Sequence, residues 1–244
     1  MKTNLLLMMA ALMLSVSGCR VNIGEGGETI EPSENIVKAK YSQEPFDKVE
    51  SHVVGNIQLV QSDKSRVTLS APENYIDLFE FENEDGELEI NFTKKNANIR
   101  VENVTIIIYT PTLREVTNSG AADIRLDSLT TDEFEVKNSG VGSFQLSRVK
   151  AQKIEVSCSG VGSINLDGET DEADYHCSGV GNINAKDMKA REVRARVSGV
   201  GGINCYASDY IKGDVSGVGG LNYAGHPAKK ELHHSMTGGI NAID

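Results

Sequence analysis

The chain repeats itself with a nearly fixed period. Residues 157–166 read SCSGVGSINL and residues 176–185 read HCSGVGNINA. Taking the serine of S-G-V-G as a marker, equivalents stand at Ser119, Ser139, Ser159, Ser178, Ser198, Ser216 and, in degraded form, Ser235, with steps of 20, 20, 19, 20, 18 and 19 residues. A period this regular means one supersecondary unit stacked on copies of itself, which removes most globular architectures at once.

The residues around each marker identify the unit. Five positions after it come Ile124, Phe144, Ile164, Ile183, Ile203, Leu221 and Ile240. Three positions before it come Val116, Val136, Val156, Tyr175, Ala195, Gly213 and Leu232. Phe134, Ile154, Ala173, Val193 and Ile211 stand five before, and Leu126, Leu146 and Leu166 seven after. All these positions share one parity, the signature of strands with one buried face. The glycine after each serine (Gly120, Gly140, Gly160, Gly179, Gly199, Gly217) permits a bend and close packing of neighbouring backbones. A leucine-rich repeat would show L-x-x-L-x-L, a propeller blade needs about 40 residues, and a helical repeat needs apolar spacings of three and four. None of these fits. The pattern predicts an all-β chain, a parallel β-helix or β-solenoid of about 20 residues per coil, right-handed in preference to left, with coils about 4.8 Å apart.

Stacking turns the alignment into ladders. The marker serines form one column, and Asn165, Asn184, Asn204, Asn222 and Asn241 form another in which side-chain amides can hydrogen-bond along the axis. We read both as corner stabilisers rather than as a flat ligand surface. Cys158 and Cys177, one before their markers, fall on adjacent coils at a separation a disulfide could span. Asn118, Asn138, Val197 and Val215 share that column, so small inward residues filling one slot explain the cysteines equally well.

The N-terminus has a different character. Lys2, an apolar run from Leu5 to Leu14 and the small residues before Cys19 read as a secretory signal over residues 1–18. The run is too short to span a membrane. The Ser15–Cys19 stretch resembles a bacterial lipobox, which would make Cys19 the lipidated mature N-terminus and the membrane a partner through an acyl anchor. Residues 19–45, rich in Gly, Glu, Ser and Pro, read as that lipid-bearing cysteine and a flexible tether. Residues 46–115 lack S-G-V-G but keep strand alternation, and predict the irregular first coils and cap of the solenoid; residues 116–244 are its regular part. The formal net charge of −11 argues against nucleic acid as a partner.

Together these residues carry a likeness. A lipobox, an entry at Phe46-Asp47-Lys48-Val49, Thr110-Pro111-Thr112-Leu113 leading into Ser119-Gly120, and then repeated S-G-V-G-x-I-N resemble the autotransporter adhesin head GIN-domain family, common in Bacteroidetes. Gly202-Ile203-Asn204 and Gly239-Ile240-Asn241 match its namesake triplet. The resemblance spans residues 46–244. It implies a β-helical protein of the cell envelope, an outer-membrane lipoprotein whose leaflet stays open, with an adhesive role and no catalytic residues to carry over.

The residues themselves point the same way. Polysaccharide-cleaving β-helices build grooves from long loops and clustered carboxylates, whereas the coil length here varies by only two residues. Asp123, Asp167, Asp174 and Asp187 are expected at unlike or isolated positions, and Asp171, Glu172 and Asp174 as a solvated corner. Glu80, Glu82, Glu84, Asp85 and Glu87 surround a turn and read as a solvated hairpin. His233 and His234 are consecutive and point to opposite faces of a strand, and His176 lies three coils away, so no metal or cofactor is expected. The leading expectation is a non-enzymatic binding module for a protein or glycan. The alternatives are a polysaccharide-cleaving enzyme and a periplasmic structural module that self-associates through the C-terminal coil.

Overall fold

The computed structural model describes residues 20–22, 28–94, 97–100, 103–235 and 237–243. The signal segment and Cys19 lie outside these residues. Among the described residues no helix is long and apolar enough to cross a membrane.

The chain is a β-solenoid. Strands 144–158, 161–177, 180–197 and 200–215 each pair in parallel with the next, and the stack continues through 218–224, 229–234 and 239–242. The register confirms the repeat alignment from three positions before each marker to five after it. Ile124, Phe144, Ile164, Ile183, Ile203, Leu221 and Ile240 form one continuous column. Val116, Val136, Val156, Tyr175, Ala195, Gly213 and Leu232 form another. All but Leu232 and Ile240, at the C-terminal end, lie in the core or contribute backbone to it. The long strands bend without losing their partners because each corner is stitched to the coil before it. Asn138 O, for example, accepts from both Ser159 N and Gly160 N at 2.9 Å.

Glycine is obligatory at these corners for a reason of contact. A Cβ on Gly160 would lie 2.0 Å from Gly140 O, and one on Gly162 would lie 1.9 Å from Gly142 O, with Gly162 held at φ +140°. The backbones of adjacent corners therefore touch directly, and no side chain can stand between them.

The N-terminal region departs from simple succession. Strand 48–51 pairs with 115–118 on one side and 87–90 on the other, and strand 54–61 lies between 121–126 and 105–110. A coil early in the chain thus lies between two formed by later residues, an outer one of 87–110 and one of 115–126. Beyond that outer coil the pairing turns antiparallel: 66–72 pairs with 105–109, and 79–84 with 87–92 through the Asp85–Gly86 turn. A short 3-10 helix, Glu73–Leu78, inserts Tyr75 and Leu78 over the core, and the Tyr75 hydroxyl donates to Ile30 O at 2.7 Å. Residues 46–115 therefore supply two coils and a cap rather than a run of successive coils.

One expectation needs correction. Part of the segment read as a flexible tether, Ile36–Ser42, is a strand paired antiparallel with residues 66–72 through seven register positions. The outward Lys38 and Lys40 dominate its composition, yet its inward Tyr41 packs against Phe81 in a tilted pair with ring centroids 4.8 Å apart.

Candidate functional site

Three stripes run along one face of the solenoid. The first is an exposed ridge of Val141, Val161, Val180, Val200 and Val218, two positions after each marker and 49–61% exposed. The second, four positions after, is Asn56, Asp123, Ser143, Ser163, Asn182, Gly202, Gly220 and Gly239, short side chains that vanish toward the C-terminus. The third is Gln58, Arg125, Gln145, Asn165, Asn184, Asn204, Asn222 and Asn241.

The asparagine ladder forms as its spacing predicts. Asn184 Nδ2 donates to Asn165 Oδ1 at 2.9 Å, Asn204 to Asn184 at 2.8 Å, Asn222 to Asn204 at 2.8 Å and Asn241 to Asn222 at 3.2 Å. The serine column is different. Its side chains point outward and make no serine-to-serine bonds among the described residues; the corner is held by backbone groups instead.

Cys158 and Cys177 are direct register partners in the buried column headed by Asn118 and Asn138, and both carry free thiols. The slot is a donor position. Asn138 Nδ2 donates to Gly142 O at 3.2 Å, and the Cys177 thiol donates to Gly181 O at 3.3 Å, each reaching the second glycine of its own corner. The Cys177 sulfur beside it, together with burial, pushes the Cys158 thiol well above its ordinary range. Burial alone pushes Cys205 up to about 12.

The opposite character belongs to the face preceding each corner. Lys48, Glu115, Glu135, Glu155, Asp174, Arg194, Lys212 and Glu231 form one charged column. Contrary to expectation, carboxylates do stack here, with Asp174 against Glu155, and Asp167 pairs with Asp187. The latter pairing arises from a bulge after Asn165 that equal-spacing alignment does not show. These acids are largely partnered. Lys137 reaches Glu115 at 2.7 Å and Glu135 at 2.8 Å, Lys153 bonds Glu155, and Arg191 and Arg194 reach Asp171 at 3.5 Å and Glu172 at 3.6 Å. Burial of Glu115 acts to raise its carboxyl, but the Lys137 hydrogen bond and the charges of Lys137 and Lys48 hold it below the usual range. A groove of about 720 Å³ crosses this face beside Arg114, Glu133, Lys153 and Glu172. His176 and His233 share a column separated by Arg196 and Asp214. Among the described residues no group of three His, Cys, Asp or Glu is placed to hold a metal ion.

Residues 45–227 match the family described as "Putative auto-transporter adhesin, head GIN domain". The chain belongs to this family. Among solved structures, the GIN-domain chain is similar to a putative adhesin from Bacteroides fragilis, at 33% identity and TM-score 0.85, over 88% of this chain and 100% of that one. It also shares its fold with a putative adhesin from Parabacteroides merdae, at 22% identity and TM-score 0.69 over 89% and 100%. A protein titled a putative lipid binding protein, from Parabacteroides distasonis, has the same fold at 23% identity and TM-score 0.70 over 89% and 100%. No curated protein matches the chain.

What sequence reasoning missed was the upper end of the amide column. Gln58 aligns with the asparagines only once residues 54–61 are known to stack on 121–126, whereas Arg125 and Gln145 already stand six positions after their markers. The signal available in sequence was the exchange of Asn for Gln at Gln145 and for Arg at Arg125.

Proposed function

We propose that this GIN-domain chain is a lipid-anchored binding module of the outer membrane, attached through Cys19, that presents the long faces of its solenoid to a protein or glycan in adhesion. The observation that carries the reading is the uniform side of the stack. Over five coils the three stripes after each corner bear no ionisable side chain, from Val161, Ser163 and Asn165 down to Thr237, Gly239 and Asn241. A chain of net charge −11 therefore keeps one extended neutral surface. Such a surface suits recognition of an extended ligand better than turnover, which needs a few groups held around one reacting centre. The family's adhesin description and the similarity to the Bacteroides fragilis protein support the same assignment.

Protease shaving of intact source cells, followed with an antibody to the repeats, tests it. Removal of the protein from whole cells is expected. Protection until the outer membrane is opened would overturn the adhesive role in favour of a periplasmic one, and robust cleavage of acidic polysaccharides by the purified chain would make it an enzyme.

A further inference from the structure

The amide column changes its chemistry at Asn165. Below it, every asparagine is satisfied by the next coil. At Asn165 the side chain turns to the backbone, donating to Phe144 O at 3.3 Å. The three residues stacked above it, Gln145, Arg125 and Gln58, have no side-chain hydrogen bond or ion pair among the described residues. Their long side chains stand beside the short Asp123 and Ser143, and the step lines an open pocket of about 400 Å³. That is within the range of small-ligand sites. Asp123 uses Oδ1 to accept from Ser143 N at 2.9 Å, leaving Oδ2 open.

We infer that this pocket is a saccharide site, taking one end of an uncharged glycan whose chain continues along the neutral face. The inference rests on the binding-module reading above and names its ligand. The idle groups match polyhydroxylated sugar rings: Arg125 and the two glutamine amides donate to hydroxyl oxygens, and Asp123 Oδ2 and the amide oxygens accept hydroxyl protons. Charge selects a neutral sugar. Arg125 and Asp123 offset each other, the face beyond carries no cation to meet a polyanion, and the chain as a whole is strongly acidic.

The test is titration calorimetry of the purified full chain with neutral oligosaccharides of glucose, mannose and N-acetylglucosamine, with polyuronate and sulfated glycans in parallel. The variants are Arg125→Leu, Gln145→Leu and, on another face, Lys150→Gln. Saturable binding of a neutral oligosaccharide is expected, weakened about tenfold by either leucine variant and unchanged by Lys150→Gln. Urea midpoints should stay at the parental value, because neither Arg125 nor Gln145 has a partner to lose. Three results overturn the site: no neutral ligand bound at millimolar concentration, preference for the polyanions, or binding indifferent to Arg125→Leu and Gln145→Leu. Retained binding of a protein ligand by Arg125→Leu, with no sugar bound, removes the site and leaves the binding module standing. Sugar binding by a chain protected inside the outer membrane keeps the site and removes the adhesive role.

Discussion

The corner glycines allow a test in which one substitution has opposite effects at two positions of the same repeat. In Gly162→Ala the new Cβ would lie 1.9 Å from Gly142 O, where ordinary contact begins at 3.4 Å, and the residue must keep φ at +140°. The corners would have to part by about 1.5 Å, which no van der Waals contact survives. Two inter-coil bonds cross that point, Val161 N to Gly140 O at 2.9 Å and Gly142 N to Val161 O at 3.0 Å. Losing both costs about 2 kcal/mol, and holding alanine in a glycine-only region adds roughly 1–3 kcal/mol. The expected destabilisation is therefore about 3–5 kcal/mol. In Gly220→Ala the nearest atom is Gly239 O at 3.4 Å, and the backbone is not left-handed. That change should be neutral or stabilising by about 0.4–1 kcal/mol, through the lower entropy of the unfolded chain. Urea unfolding followed by far-ultraviolet circular dichroism reads the difference as a shift of midpoint at constant slope. If the two variants fall within 1 kcal/mol of each other, the direct backbone contact is not what requires glycine at the corner.

Further outcomes follow from other columns. Asn204→Ala removes the bonds on both sides of one rung and should lower stability by about 1–2 kcal/mol, read from the same midpoint; no change would mean the ladder contributes nothing. Val180→Thr alters a half-exposed ridge residue and should stay within about 0.5 kcal/mol of the parent. Cys158, Cys177 and Cys205 are buried thiols and should resist Ellman's reagent at pH 8 until urea is added; mass mapping of rapid modification at any of them would contradict the inward slot. Glu115 has its folded pKa held low by Lys137 and Lys48, so its stabilisation is present above the unfolded glutamate value of about 4.3 and is lost as pH falls through the lower folded value. Lys137→Met should therefore flatten the acid limb of a stability-versus-pH curve, and an unchanged limb would show that the pair contributes nothing.

The repeat half was legible in the sequence because a solenoid writes its cross-section once per coil. The columns through Ile164 and Val156, the asparagine ladder and the corner glycines all follow from position modulo the period. Errors arose where that rule breaks. The bulge after Asn165 shifts the following residues by one, which hid the Asp167–Asp187 pairing. The cap hid for a different reason: its strands pair with partners far along the chain, as Glu50 does with Thr117, 67 positions away, and alternation alone says nothing about which strand lies beside which. Gln58 belongs to that hidden register, which is why the pocket it lines beside Arg125 could not be seen before the coils were stacked.

The interleaving at the N-terminal end has a kinetic consequence. Strand 48–61 takes both its neighbours from later in the chain, 87–110 on one side and 115–126 on the other. A chain emerging N-terminus first cannot complete this end until residue 126 is available, and the loop that must close is long, which slows closure. The repeats that follow need only their immediate predecessors and can propagate once a nucleus exists. Folding should accordingly start among the S-G-V-G coils and finish at the cap, so the N-terminal end of the solenoid is the last to lock.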